Sequence, residues 1–459
     1  MKSVICIRPA DSLRFVMGQN QPNDVAVKPP EFTTKQFAGL MAGASVGSMF
    51  EWYDFYLAAT AAAAVWPRIF FPATLDPAVA LAVSVMSVGL AYLARPIGAV
   101  IFGHFADRYG RRATLVANLL TMGIASVGTA VLPPYVSAGF LSLIMLFAMR
   151  FLIGIGLGGE TGGAFSWIAE ARPNAKHRGF WISWPTAVLT LGKMLSIFAF
   201  FLAAYYLTNA EYVAWGWRVP FAVGALLLAV AVIIRIKISE SPMFQQLMSK
   251  RQVLKYPAFQ VMREHGRKIF TLLWLNAYVT ATGAFVILPY SVSYLVRLGM
   301  NEAFSNLSVT VGTAVAFFTV LLGAYISDYV GRLRTIRIGA VLTIVSLYPY
   351  FWLLQTLNPV LIVAAQALLY GIHSSTLGAN SAVYAESFPT KYRSSGSGLA
   401  YQLAGLVAGL LVALLLPLLL VTYGVLGSWQ PIAWAVIILT IVAIVASYFV
   451  KETRGSTLE

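Results

Sequence analysis

Gly103-His-Phe-Ala-Asp-Arg-Tyr-Gly-Arg-Arg112 is a charged island of ten residues between two apolar segments, 90–102 and 113–131. An island this short leaves no room for a soluble domain, so it reads as a tight hairpin joining two membrane-crossing helices. A fainter copy, Gly323-Ala-Tyr-Ile-Ser-Asp-Tyr-Val-Gly-Arg-Leu-Arg334, lies far downstream, again between apolar runs. Aligning Asp107 with Asp328 brings Gly110 onto Gly331 and Arg111 onto Arg332. One loop present twice, early in each half of the chain, indicates a duplicated helical bundle in a membrane.

Composition agrees. The chain has 459 residues, 59% hydrophobic and 11% charged, where soluble domains carry roughly a quarter charged residues. At about 20 apolar residues per span, twelve helices with short loops fit this length. The net charge of +15 invites a nucleic-acid reading, but basic residues of a DNA binder gather on one soluble face. Here they punctuate apolar runs, so no nucleic-acid partner is expected. The single cysteine, Cys6, excludes an internal disulfide framework. The first thirty residues have no sustained apolar core and read as a cytosolic tail rather than a signal peptide.

The expected spans are 37–71, 77–103, 113–132, 140–171, 179–207, 215–236, 268–296, 303–326, 336–356, 359–386, 395–422 and 431–450. Arg108, Arg111, Arg112, Arg172, Lys176, Arg178, Arg235, Lys237, Lys250, Arg251, Arg332, Arg334, Lys391, Arg393 and Lys451 fall in loops on one side. The other side carries little beyond Arg68, Arg218 and Arg297. The positive-inside rule therefore puts both termini in the cytoplasm of a multi-pass cell-membrane protein. This predicts a tail over 1–36, an N-terminal six-helix bundle over 37–236, and a linker over 237–267 whose amphipathic stretches, 243–248 and 253–261, suggest short surface helices. A C-terminal bundle over 268–450 and a tail over 451–459 complete the chain.

A second repeat supports the halves. Ala169-Glu-Ala-Arg-Pro173 closes the fourth span and Ala385-Glu-Ser-Phe-Pro389 the tenth, followed by Arg178-Gly179 and Arg393-Ser394. Parallel halves of this kind are a known transporter plan, with the substrate held between them near the midplane.

With these motifs in place, the chain resembles the major facilitator superfamily over nearly its whole length. More narrowly it resembles the metabolite–proton symporter family. The narrower likeness rests on Phe50-Glu-Trp-Tyr-Asp-Phe-Tyr56, Phe70-Phe-Pro72, Ala94-Arg-Pro-Ile-Gly98, Gly154-Ile-Gly-Leu-Gly-Gly-Glu-Thr-Gly-Gly163 and Arg178-Gly-Phe-Trp-Ile-Ser-Trp-Pro185. That family includes permeases for shikimate, 2-oxoglutarate, citrate and proline/betaine. The resemblance implies that Asp107, Arg108, Arg111, Glu170, Arg178, Asp328, Arg332, Glu386 and Arg393 form a cytoplasmic gate. Its pairs would be Asp107 with Arg111, Asp328 with Arg332, Glu170 with Arg178, and Glu386 with Arg393.

Charges inside spans are costly unless paired or facing water. Glu51 and Asp54, three apart, share one helix face, while Arg95 and Lys193 lie in the second and fifth spans. Together they read either as a site or as an internal charge network. In the first reading Arg95 and Lys193 bind a substrate carboxylate and Asp54 or Glu51 carries a coupling proton. Glu160 is a further proton site, or a structural partner of Arg150 or Lys193. Tyr53, Tyr56, Trp184, Asn276 and Gln366 are expected to line the cavity, and His373 to be a hydrogen-bonded packing residue. No phosphate-binding loop and no zinc-ligand pair occurs, so no enzyme, cofactor or metal is expected.

The sequence thus reads as an all-α, twelve-helix, proton-coupled symporter of a small organic anion, acting as a monomer in the lipid bilayer of a prokaryotic cell membrane. A zwitterion symporter, an organic-acid exporter and a non-transporting sensor are the alternatives.

Overall fold

The computed structural model describes residues 31–283, 290–423 and 429–458. Twelve helices of 18 residues or more carry the fold. In the N-terminal half they are α1 (Thr34–Ala64), α2 (Pro77–Tyr109), α3 (Arg111–Ala130), α4 (Phe140–Ala171), α5 (Arg178–Tyr206) and α6 (Val219–Lys237). The C-terminal half has α7 (Pro257–Ala281), α8 (Glu302–Val330), α9 (Arg332–Gln355), α10 (Pro359–Glu386), α11 (Arg393–Tyr423) and α12 (Gln430–Ser447). Among the described residues no strand occurs, and nine of these helices are long and apolar enough to cross a membrane.

The chain is inverted relative to a soluble protein. Leu226, Val230 and Ile233 on α6 and Phe198 and Phe201 on α5 are exposed, while Glu51, Asp54, Arg95, Arg150 and Glu160 are buried. With lipid outside, apolar surface costs nothing there, and polar groups gain only by facing one another. Helix ends follow local chemistry. Thr33 and Gln36 form a reciprocal capping box that starts α1. Gly110 and Gly331, with φ of 116° and 114°, make the turns into α3 and α9. Only glycine adopts this backbone without strain, which is why both copies of the loop carry one.

Small residues set the packing inside each half. A Cβ added to Gly158 would strike the backbone carbonyl of Arg95, and one added to Gly154 that of Ala91, so α4 rests backbone to backbone on α2. In the C-terminal half a Cβ on Gly378 would meet Val320 O, repeating the arrangement between α10 and α8.

Three expectations change. The seventh span begins earlier than 268: α7 starts at Pro257 and bends at His265 (φ −127°, ψ 20°), where its charged first turns give way to the apolar stretch. The surface helix expected over 253–261 is therefore the start of α7. Part of the expected span, 284–289, lies outside the described residues, and a short helix Ser291–Arg297 follows. The linker does contain a surface helix, Pro242–Ser249, capped by Ser241. Finally, residues 451–458 do not trail away, because Glu452 and Thr453 bond into the body of the protein. Of the expected 1–36 tail, residues 1–30 lie outside the described residues.

Candidate functional site: a central cavity and an arginine-rich seam

At the arginine-rich end the halves are stitched together by ion pairs that cross between them. Glu170, ending α4, accepts from Arg111 at 3.0 Å within its own half and from Arg393 at 2.9 Å across the seam. Glu386, ending α10, accepts from Arg332 at 3.0 Å in its own half and from Arg178 at 2.8 Å across it. The expected pairs Glu170–Arg178 and Glu386–Arg393 are thus exchanged. Each lies within one half by sequence, whereas the two-fold relation brings the start of α11 to the end of α4, and the start of α5 to the end of α10.

Asp107 and Asp328 each do two things. Asp107 pairs with Arg111 at 2.6 Å and accepts the backbone N–H groups of Ser394 and Ser395 at 3.1 and 2.7 Å. Asp328 pairs with Arg332 at 2.6 Å and accepts from Gly179 and Phe180 N–H, both at 3.0 Å. A carboxylate at the N-terminus of the other half's helix meets unsatisfied donors and the positive end of the helix dipole. Arg108 stands apart. It reaches the Lys255 carbonyl at 3.3 Å and no carboxylate among the described residues.

Two acids escaped the sequence reading. Glu240 accepts from the Arg111 and Arg112 backbone N–H groups at 3.0 Å each, and Glu452 from those of Arg332 and Leu333 at 2.9 and 3.1 Å. The neighbouring hydroxyls complete the set: Ser241 donates to Glu170 at 2.5 Å and Thr453 to Glu386 at 2.7 Å. The signal was available, since Glu240-Ser241 and Glu452-Thr453 each follow the last span of a half.

Midway along the bundle lies a cavity between the halves, lined by Trp52, Tyr92, Arg95, Thr190 and Lys193 from one side. Asn276, Tyr370, His373, Tyr401 and Gln402 line it from the other. About 60 Å³ of it admits a water-sized sphere, room for a few waters and not for a six-carbon acid. Arg95 is buried, and its Nε and Nη2 have no hydrogen-bond partner. Its guanidinium lies 4.7 Å from the Tyr92 ring centre, 5.1 Å from Phe55 and 6.0 Å from Trp52. Lys193 Nζ lies 4.7 Å from the same Trp52 ring, 5.1 Å from Tyr56, and donates to Tyr370 Oη at 3.2 Å. Asn276 Oδ1, Gln402 Oε1 and both ring nitrogens of His373 are buried and unpartnered.

The cavity brings Arg95, Lys193 and Asn276 together, with Tyr56 behind Lys193. It does not take Tyr53, Trp184 or Gln366. Tyr53 donates to Pro220 O at 2.6 Å and faces the α5–α6 side. Trp184 packs edge-on against Phe180 and Phe317. Gln366 bridges Tyr350 and Ser291 inside the C-terminal half. Tyr53 and Gln366 are held within their own halves, and Trp184 packs across to Phe317 away from the cavity lining. His373 reverses the expectation of a hydrogen-bonded packing residue, for it sits edge-on to Tyr370 at 5.1 Å with bare nitrogens.

The buried acids separate. Glu160 forms a two-pronged pair with Arg235, which also donates to the Gly43 and Leu115 carbonyls. Neither Arg150 nor Lys193 is its partner. The sequence reading had put Arg235 in a loop, one turn too far out. Asp54 instead faces Arg150 at 3.8 Å, with neither oxygen hydrogen-bonded. Arg150 donates to Thr129 at 2.5 Å and rests on Trp66. Glu51 lies within electrostatic reach of Arg95, Glu160 and Arg235.

Twelve helices in two alike bundles around a shared polar cavity define a multi-pass membrane transport protein, and the comparisons name its kind. The profile of the Sugar (and other) transporter family matches twice, over residues 40–255 and 249–459, once for each half, and the chain belongs to that family. It is 32% identical over 435 residues to the inner membrane metabolite transport protein YhjE of Escherichia coli, covering 91% of this chain and 95% of that one. It is 28% identical to the shikimate transporter of the same organism, covering 90% and 94%, and 28% identical to its proline/betaine transporter, covering 80% and 75%. The fold matches that of the proton:xylose symporter XylE with a TM-score of 0.77 at 18% identity, covering 93% of this chain and 98% of that one.

Proposed function

We propose that the chain is a proton-coupled symporter that moves a small organic anion by alternating access, with Arg95 and Lys193 receiving the carboxylate. The observation that carries this reading is Arg95, a buried guanidinium facing the shared cavity with two of its nitrogens unpartnered. A buried cation without a partner costs several kcal/mol, and an incoming carboxylate offsets that cost. Asn276, His373 and Gln402 offer neutral polar groups from the other half, suited to hydroxyl or carbonyl oxygens. A bound anion then touches both halves and links their movement.

The zwitterion alternative fares less well. Among the described residues no carboxylate lines the cavity to pair an ammonium group, and the aromatic faces of Trp52 and Tyr92 that could hold one already carry Lys193 and Arg95. The named relatives include both a shikimate and a proline/betaine transporter, so likeness alone does not separate the two chemistries.

Asp54 is the proposed proton carrier. Among the described residues its oxygens meet only loose partners, the Ser126 hydroxyl and the Arg150 guanidinium at 3.8 Å, so protonation breaks little and frees Arg150. Asp54 and Trp52 share α1, and the Trp52 ring lies against both cavity cations. On this reading α1 carries the proton and borders the anion site, whose two cations stand on α2 and α5. The crossed ion pairs, Asp107, Asp328 and their partners serve as the cytoplasmic gate, held shut in this form and opened when the halves rock. Glu160, committed to Arg235, serves structure.

The test is counterflow of organic acids in proteoliposomes with a pH-sensitive dye inside. Wild-type protein should exchange hydroxylated carboxylates and acidify the lumen during uptake. Arg95→Gln should weaken uptake at pH 5.5 about ten- to hundredfold, the scale of one or two lost charge-assisted hydrogen bonds. Unchanged uptake by that variant would reject the anion role of Arg95.

A further inference from the structure

Beside the gate, on the outer flank of the C-terminal half, a second cavity of about 880 Å³ opens between the start of α7 and the segment after α12. Its walls hold three cations, Arg267, Lys268 and Lys451, all exposed. Arg267 and Lys451 make no ion pair among the described residues. Lys268 spends one proton on the Ser387 carbonyl at 2.9 Å and lies within electrostatic reach of Lys451, a like charge.

Two carboxylates border the same cavity, yet both are engaged elsewhere. Glu386 accepts from Arg178, Arg332 and Thr453, and Glu452 from the backbone at Arg332 and Leu333. Among the described residues no ion pair ties either carboxylate to Arg267, Lys268 or Lys451, so three unpaired cations share the cavity with two acids already engaged.

The position of the cavity narrows what fills it. The apolar run of α7 begins at Ile269, immediately after Lys268, and α12 ends at Ser447, just before Phe449. Phe270 and Phe449, 61% and 79% exposed, flank the basic walls on the side of the spans. Cations at the end of an apolar span, with bare aromatic rings one step deeper, match an anionic headgroup above and acyl chains below.

We propose that this cavity binds the phosphate headgroup of an anionic glycerophospholipid, held by Arg267, Lys268 and Lys451 with its chains along Phe270 and Phe449. The site borders Glu386, Thr453 and Ser456, and the Ser456 carbonyl accepts from Arg178 of the other half at 3.1 Å. Bound lipid therefore rests against the strap that helps hold the seam closed.

The experiment is native mass spectrometry of the full chain in a neutral detergent, titrated with dioleoyl phosphatidylglycerol, dioleoyl phosphatidylcholine or inorganic phosphate. Wild-type protein should retain phosphatidylglycerol well below the concentration needed for phosphatidylcholine. Lys268→Gln/Lys451→Gln should lose about fivefold in that preference for each cation removed. Arg267→Gln/Lys451→Gln, which leaves the Lys268–Ser387 bond intact, should lose as much. Lys250→Gln/Arg251→Gln, in the exposed linker, should lose none. Equal retention of the two lipids by wild type, or an unchanged preference in both cavity variants, overturns the proposal. Displacement of phosphatidylglycerol by millimolar inorganic phosphate also overturns it, assigning the cations to a soluble phosphate instead.

Discussion

Gly162 sits where α4 meets α11 across the seam, and replacing it with alanine should open that end of the protein. A Cβ there would stand 2.5 Å from the Cα of Gly398, 2.6 Å from its nitrogen and 2.7 Å from the Ser394 carbonyl, all backbone atoms that cannot swing away. Carbon atoms rest at about 3.5–4.0 Å, so α11 must retreat by roughly 1 Å. That retreat stretches the Arg393–Glu170 contact from 2.9 Å and the Ser395–Asp107 contact from 2.7 Å to the edge of hydrogen bonding or past it. The overpacking cost is about 1–3 kcal/mol, charged only to the form in which the halves touch. At 1.4 kcal/mol per factor of ten, the closed-to-open ratio should fall about 5- to 150-fold. The assay is maleimide labelling of a Cys6→Ser, Ser395→Cys background, because Ser395 is buried in the seam with its hydroxyl unpartnered. Gly162→Ala should raise the labelling rate by that factor, and Gly39→Ala, where a Cβ meets nothing within 4 Å, should leave it unchanged. An unaltered rate in a Gly162→Ala protein of normal melting temperature would show that the seam is looser than its distances say.

Asp54→Asn should keep substrate counterflow yet lose accumulation driven by a pH gradient, as read by dye-loaded vesicles; retained proton-driven accumulation removes Asp54 from the coupling path. Glu160→Gln breaks a buried pair with Arg235 and should cost about 3–5 kcal/mol, seen as loss of monodisperse protein on size exclusion. A well-folded Glu160→Gln protein defective only in proton coupling would return Glu160 to that path. Gly331→Ala forces a side chain onto a φ of 114° and toward Glu452 at 3.0 Å, so it should destabilise by about 1–3 kcal/mol, measured as a lower melting temperature.

The duplicated loop made the fold legible, because periodic apolar runs and paired glycine turns are local signals that survive without coordinates. The charged residues that meet at the seam were legible for the same reason: each motif occurs twice. Partners were harder. Sequence proximity favoured Glu170 with Arg178, yet no spacing along one chain reveals which half a side chain will face. Glu160 was misjudged because Arg235 looked like a loop residue, although its guanidinium folds back one turn into the bundle. His373 was read as packing because an apolar helix usually satisfies its polar groups. That rule fails at His373, which borders the cavity between the halves with both ring nitrogens unpartnered.

The exchanged ion pairs also suit the gating role proposed for the seam. Had Glu170 met Arg178 and Glu386 met Arg393, both carboxylates would have been satisfied inside one half, and separating the halves would have broken neither pair. With the partners crossed, Glu170 and Glu386 each keep one arginine of their own half, Arg111 and Arg332, when the other is withdrawn. Opening then removes Arg393 and Arg178 without leaving either buried acid uncompensated, which avoids the full penalty of an orphaned charge. The two states can therefore lie within a few kcal/mol of each other, the range that the proposed binding of one proton and one anion would tip.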